Sequence, residues 1–259
     1  MRDLLTDLEQ GEPAAANPLD AARAGQRRAL PKRFYKQAEP LEVEGGFGVG
    51  LDGRPIRTPA RKLFAVPQRV VAEAVAQEWR DQGEDIDPSR MPLTRLLNVA
   101  IDGVATDPAA SIEEVVRYAG TDLICYRADG PERLVQRQAQ HWDPVLDWLR
   151  NEHGIRLILS AGIRHVTQPE AALDRLRNLI PKDEFRLAAI VSLTALLGSA
   201  TLALALHSGR LTPAEAWAAG HVDEDWNREQ WGEDETAAAR QAARKSEMEA
   251  AARLLALMG

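Results

Sequence analysis

The sequence predicts an α+β fold, with a small N-terminal mixed α/β domain carrying an antiparallel sheet and a mainly helical C-terminal domain after it. Three observations predict it. Between residues 34 and 66, apolar and polar residues alternate in short runs punctuated by Gly and Pro, the period-2 mark of half-buried strands. From Glu132 onward, apolar residues recur at three- and four-residue spacing, the mark of helices that bury one face. Between the two regions lies Ala128-Asp129-Gly130-Pro131, a cluster of turn formers and the best candidate boundary. The expected organisation is a flexible arm over 1–31, a sheet-containing domain over 32–127 and a helical domain over 128–259.

The arm is rich in Ala, Pro, Gly and charge, and Leu4, Leu5 and Leu8 could support one or two helical turns. Strands are expected over 34–39 and 41–44, a tight turn at Gly45-Gly46, and a strand over 47–51. Asp52-Gly53 signals a second turn, followed by short strands over 54–59 and 63–66. A helix over 68–82 aligns Val71, Ala74, Val75 and Trp79 on one stripe, with Gly83 suited to its end. Pro92 opens a helix that turns Leu93, Leu96, Leu97 and Ala100 inward. Another helix covers 108–119, and 123–126 reads as the last strand of the first domain.

In the second domain, a helix over 132–152 gathers Trp142, Val145, Leu146 and Leu149 on one face, so Trp142 and Trp148 are core candidates. Residues 155–159 read as an isolated strand and 169–179 as a helix. Residues 187–206 run for twenty positions without a charge, long enough to cross a bilayer. The favoured reading is a central helix buried on all sides. Ala, Ser and Thr are abundant, Gly198-Ser199 sits in the middle, and few basic residues flank the stretch as membrane anchors. Thr212-Pro213-Ala214-Glu215 is a helix start, with a cap, Pro at the first position and Glu at the third. A last helix over 235–258 places Met248, Ala251, Ala252 and Leu255 inward.

The bulk numbers exclude some functions. With 259 residues, 45% hydrophobic and 27% charged, the chain can bury a substantial core. A net charge of −7 argues against nucleic acid, since phosphate contacts need a basic patch, and the one cluster (Arg27, Arg28, Lys32, Arg33) is short. The single cysteine, Cys125, lies in an apolar run and is read as a buried structural residue in a reducing compartment. The N-terminus shows neither a secretory signal nor the acid-poor character of a transit peptide, so a bacterial, cytoplasmic protein is expected.

Motifs for chemistry are scarce. Gly45, Gly46, Gly48 and Gly50 are not followed by Lys-Ser/Thr or directly by a helix, so they fail both phosphate-binding fingerprints. The histidines (His141, His153, His165, His207, His221) form no i, i+3 or i, i+4 pair, and His221 with Asp223 is the best metal-ligand fragment. There is no Gly-x-Ser-x-Gly elbow, and Glu113-Glu114 reads as a solvated helix face. No catalytic residue, metal or cofactor is assigned.

The densest unusual stretch is HVDEDWNREQWGEDE, residues 221–235, with seven carboxylates and two tryptophans. Carboxylates at a helix start complement its dipole, which accounts for Glu233 to Glu235, and both tryptophans could simply be core. The functional reading is a protein-binding surface in which Trp supplies an anchor and carboxylates meet a partner's arginines. Its candidate residues are Asp223, Glu224, Asp225, Trp226, Glu229, Trp231 and Glu233.

Several strings then carry a resemblance: KRFYKQAE (32–39), LDGRPIRTPAR (51–61), EW (78–79), IDPSRMPLTRLLNVAIDGV (86–104), DLICYRADGPERLVQRQAQHWDPVLDW (122–148) and DEDWNREQWGEDETA (223–237). In this order they resemble the chaperones that assemble the catalytic head of F-type ATP synthase, specifically those acting on the free α subunit. The resemblance covers about residues 32 to 256. It implies a mixed N-terminal domain, a helical C-terminal domain, no cofactor and no turnover. It also implies a monomer when free, with the α subunit as partner, held at the surface that later contacts β. The family's acidic C-terminal segment is implicated in function, which points here to Glu224, Glu229 and Glu233. The alternatives are a small-molecule enzyme with its site in the inter-domain cleft, and a membrane-associated scaffold using residues 187–206.

Overall fold

The computed structural model describes residues 30–162, 164–232 and 235–259. The helical turns considered at Leu4 to Leu8 lie outside them.

The N-terminal sheet grows from two hairpins. Strands β1 (Ala38–Val43) and β2 (Gly46–Leu51) pair antiparallel, from Ala38 opposite Leu51 to Val43 opposite Gly46. Strand β3 (Arg54–Pro55) adds to β2 across Asp52-Gly53, whose φ values of 48° and 80° give the left-handed turn that matches strand twist. Gly46 is required for a second reason: a Cβ there would sit 2.3 Å from the Val66 carbonyl oxygen. Val49, Phe64 and Val66 are fully buried beneath helix α1 (Arg69–Arg80), which turns Val71, Ala72, Ala74 and Val75 inward.

Two strand expectations need correction here. Residues 34–37 are not a strand; their backbone is held by side chains instead, with the Asp52 carboxylate accepting from Lys36 N and Gln37 N. Residues 63–66 form only isolated bridges, Phe47 with Val66 and Arg57 with Leu63, because Pro59 and Pro67 bracket the run and donate nothing to a ladder.

Helix α2 (Pro92–Val99) runs into a wider π turn, Ala100–Val104, and α3 (Pro108–Gly120) starts where Asp107 accepts from Ala110 N. The π turn carries Asp102 back to the sheet, where its carboxylate accepts from Thr58 Oγ1 at 2.6 Å and Ala60 N at 3.0 Å. The expected strand over 123–126 is instead a 3-10 turn, Leu123–Cys125, followed by β4 (Tyr126–Arg127). Its parallel partner is β5 (Ser160–Ala161), not residues 155–159. The physical reason lies in Gln168, whose amide takes both backbone groups of Ile158 at 2.7 and 2.9 Å and so replaces a neighbouring strand.

Beyond Ala128 come α4 (Glu132–His153), α5 (Glu170–Arg177), α6 (Glu184–Leu197), α7 (Ala200–His207), α8 (Pro213–Gly220), α9 (Val222–Trp231) and α10 (Glu235–Met258). Residues 187–206 are therefore two helices rather than one. Gly198 breaks them at φ 68°, and Ser199 Oγ caps the second by accepting from Leu202 N at 3.0 Å. Helices α2, α3 and α10 pack on α6, while α4 and α8 pack on α7, so helices from both sides of Ala128 share one core. No helix among the described residues is long and apolar enough to cross a membrane.

Asp122 is fully buried at this break. Its Oδ2 accepts from Thr201 N at 2.9 Å and its Oδ1 from Ile124 N at 3.3 Å, while Leu123 N donates to Gly198 O at 3.2 Å. Burial pushes its carboxyl upward, against the bonds from Ser199 and Thr201. Beside it, burial and then the Asp122 charge push the Cys125 thiol up to about 12, so the expected structural cysteine is found.

Two measurements check these assignments. Gly198→Ala should destabilise the protein by about 1–2 kcal/mol in urea unfolding, because a Cβ in the left-handed region is strained whatever the space around it. The second concerns Asp102, whose carboxyl is held below its ordinary value chiefly by the Thr58 hydroxyl. Because the folded value is depressed, its stabilisation is present above about pH 4 and is lost as pH falls through the folded value. Asp102→Asn should therefore flatten the acid limb of a plot of urea midpoint against pH, and an unchanged limb would contradict the assignment.

Candidate functional site

The acidic run forms α9, with Asp223, Glu224 and Asp225 in its first turn, where carboxylates complement the exposed N–H groups. Val222 is buried and Trp226, one turn on, is half-buried, so one side of the helix faces the core. Its start is fixed by His221, whose ring stacks on Trp217 at 3.7 Å and whose Nδ1–H donates to Trp217 O at 2.9 Å. Helix α8 is tied in turn to α4, since the buried Trp142 indole donates to Ala219 O at 2.7 Å.

Each described carboxylate of α9 has a partner within the chain. Asp223 accepts from Gln138 Nε2 at 2.7 Å, and Gln138, only 2% exposed, also accepts from Ala128 N at 2.8 Å. Asp225 pairs with Arg228 at 2.7 Å, and Arg228 donates to Gln241 Oε1 of α10 at 2.5 Å. Glu229 receives the Arg137 guanidinium at 2.8 Å on both oxygens. Glu224 lies 3.7 Å from both Arg244 and the His221 ring. The metal-ligand fragment is thus drawn apart, since His221 faces Trp217 and Glu224 while Asp223 faces Gln138.

The candidate residues fall into two groups. Asp223, Asp225 and Trp226 are partly buried; Asp223 ties α9 to α4 through Gln138, and Asp225 holds Arg228, which reaches Gln241 of α10. Glu224, Glu229 and Trp231 are exposed, and Trp231 is 86% accessible to solvent. Glu233 lies outside the described residues. Trp142 and Trp148 are buried as expected, whereas Trp79 is only half-buried. Between α9 and α10 runs an open groove of about 620 Å³, walled by Glu224, Arg228, Trp231, Arg240 and Arg244. Sequence reasoning did not single out Arg137, Gln138 or Arg244. Arg137 lies 92 positions from Glu229 and Gln138 lies 85 from Asp223, so no local spacing carries the signal. Glu113 lies exposed on the solvated face expected of it, and from there it also pairs with Arg177 and links α3 to α5.

Three comparisons bear on this arrangement. The family model of the ATP12 chaperone protein matches residues 32–150. The mitochondrial protein atp12 of Schizosaccharomyces pombe is 25% identical over 219 residues, spanning 80% of this chain and 75% of that protein. The crystal structure of Atp12 from Paracoccus denitrificans is 40% identical, with a TM-score of 0.81 over 88% of this chain and 99% of that one. A candidate chaperone from Agrobacterium tumefaciens, also a crystal structure, is 45% identical, with a TM-score of 0.86 over 95% of this chain and 93% of that one.

The Gln138 bridge gives a stability test. Gln138→Ala should cost about 1–3 kcal/mol in urea unfolding, because Ala128 N loses its acceptor and Asp223 its donor in a partly buried setting.

Proposed function

The chain belongs to the ATP12 chaperone family, and from that premise we propose that it is an assembly chaperone for the catalytic sector of F-type ATP synthase. In this reading it acts in the bacterial cytoplasm as a monomer and binds the free α subunit. It covers the surface that β later occupies and carries out no turnover. An uncovered subunit interface is an aggregation hazard, and shielding it lowers the concentration of the sticky state. Release follows if the α–β contact is the stronger one, because β then displaces the chaperone downhill.

The observation that carries this reading is the end-to-end likeness to the Paracoccus Atp12 structure. The α9 surface supports it locally, since Trp231 is held out in solvent on the groove that it shares with Glu224, and Glu229 is exposed on the same helix. An exposed indole at the edge of a groove with charges of both signs suits a protein surface that offers an apolar side chain and charged groups around it. Trp231, Glu224 and Glu229 are the proposed contacts, with Glu233 as a fourth. Asp223 and Asp225, through Gln138 and Arg228, hold the helix that presents them, with Trp226 half-buried on it.

The test is co-expression with the α subunit alone and, separately, with β alone. The expected result is capture of α and not β, with α kept soluble. Capture of neither would sink the reading. Replacing Glu224, Glu229 and Glu233 by Gln together, with Trp231→Ala, should reduce α capture at least tenfold while leaving the unfolding midpoint within error, since exposed ion pairs add little to stability.

A further inference from the structure

A second cleft lies in the sheet-containing part of the chain, on residues that the α9 surface does not use. It has a volume of about 470 Å³ and is walled by Phe34, Tyr35, Arg54, Ile56, Arg57 and Trp79. Its aromatic side is a contiguous ladder. Phe34 meets Tyr35 edge-on at 5.4 Å, Tyr35 meets Trp79 at 5.6 Å, and the Tyr35 hydroxyl donates to Trp79 O at 2.7 Å. Tyr35 is buried, but Phe34 is 74% exposed.

This exposure is imposed by the backbone on both sides of Phe34. Before it, Arg33 N donates to Glu84 O at 2.8 Å, and the Arg33 guanidinium donates to Tyr35 O at 3.2 Å, Arg80 O at 3.3 Å and Gln82 O at 2.6 Å. After it, Lys36 N and Gln37 N are held by Asp52 at 3.0 and 2.9 Å. The ring is thus fixed at the rim of a cleft before anything binds, which lowers the ordering cost of using it as an anchor.

The other side of the cleft is cationic. Arg54 and Arg57 are both exposed, and the Arg54 side chain has no partner among the described residues. Arg57 donates one N–H to Arg61 O at 3.0 Å. The remaining charge in the wall, Asp52, directs its carboxylate at the backbone of residues 36 and 37. An occupant must therefore offer an apolar side chain to the aromatic ladder and a carboxylate to Arg54 and Arg57.

We propose that this cleft docks an extended segment of the client polypeptide in which an Asp or Glu adjoins a large apolar side chain, giving the chaperone a second contact of opposite charge to α9. The proposal rests on the client reading above, and the experiment keeps the two apart. A photoreactive p-benzoylphenylalanine is installed in the full-length chain in place of Phe34, and in a second protein in place of Trp231. Each is irradiated with purified α subunit from the same organism. In parallel, α binding is titrated for the unmodified chain, Phe34→Ala and Arg54→Glu, and urea unfolding is recorded for each. Both substituted side chains are exposed, so unfolding midpoints should stay unchanged.

The expected result is a crosslink from position 34 to an α segment containing Asp or Glu beside an apolar residue. Each variant should weaken α binding by about tenfold or more, as truncating an interface anchor does. If α binds and crosslinks at position 231 but not at 34, and both variants bind within twofold of the unmodified chain, the cleft proposal is overturned and the chaperone reading stands. A crosslink from position 34 to the chain's own residues 1–29 overturns it in favour of self-occupancy. If the unmodified chain does not bind α at all, both readings fall together.

Discussion

The twenty uncharged residues over 187–206 can be kept from water only by being surrounded, and the placing of α2, α3, α4, α8 and α10 follows from that constraint. A helix apolar all round needs neighbours on every side. The chain meets this need by folding the run back at Gly198, so that α6 and α7 can be enclosed by α2, α3 and α10 on one part and α4 and α8 on the other. The bend leaves an unsatisfied helix start in the core, and Ser199 and Asp122 supply its acceptors. The loop carrying Asp122 also brings Arg127 over Trp142 at 5.2 Å, and Trp142 fixes α8, which leads into α9. The position of the acidic helix is thus traceable, contact by contact, to the break at Gly198, and α9 is held from far along the chain as well, since its partner Gln138 lies 85 positions from Asp223.

Much of this was legible in the sequence, and the parts that were not share a cause. The hairpin at Asp52-Gly53, the core stripe of α1, the Pro-opened α2 and the capping box at Thr212 are all local devices, in which a residue satisfies a neighbour within four positions. Strands over 63–66, 123–126 and 155–159 failed because remote groups or prolines decided them. Gln168 took the Ile158 backbone, and the Gly198 carbonyl at the break between α6 and α7 took Leu123 N. Periodicity cannot report a hydrogen bond to a residue far along the chain.

The candidate site divides along the same line. Its composition was plain, but the reason such a charge density is tolerable was not, because Arg137 and Arg244 come from α4 and α10. Seven carboxylates in fifteen residues look self-repelling only while the sequence is treated as a line. In three dimensions, Glu229 and Asp225 each face a guanidinium within 2.8 Å. For the four carboxylates of α9 the local repulsion is offset inside the molecule, so their charge density by itself does not demand an external partner. The exposed Trp231 makes the stronger case for one.

The bond from Arg137 Nη1 to both oxygens of Glu229 also bears on kinetics. Any guanidinium arriving from outside competes with one already in place, so capture exchanges one ion pair for another and gains little net Coulomb energy. The same exchange runs in reverse on dissociation, because Arg137 stands ready to take back the carboxylate as a visitor leaves. In the proposed complex, such a surface would favour short residence at the charged contacts and leave the dwell time to the apolar contact assigned to Trp231.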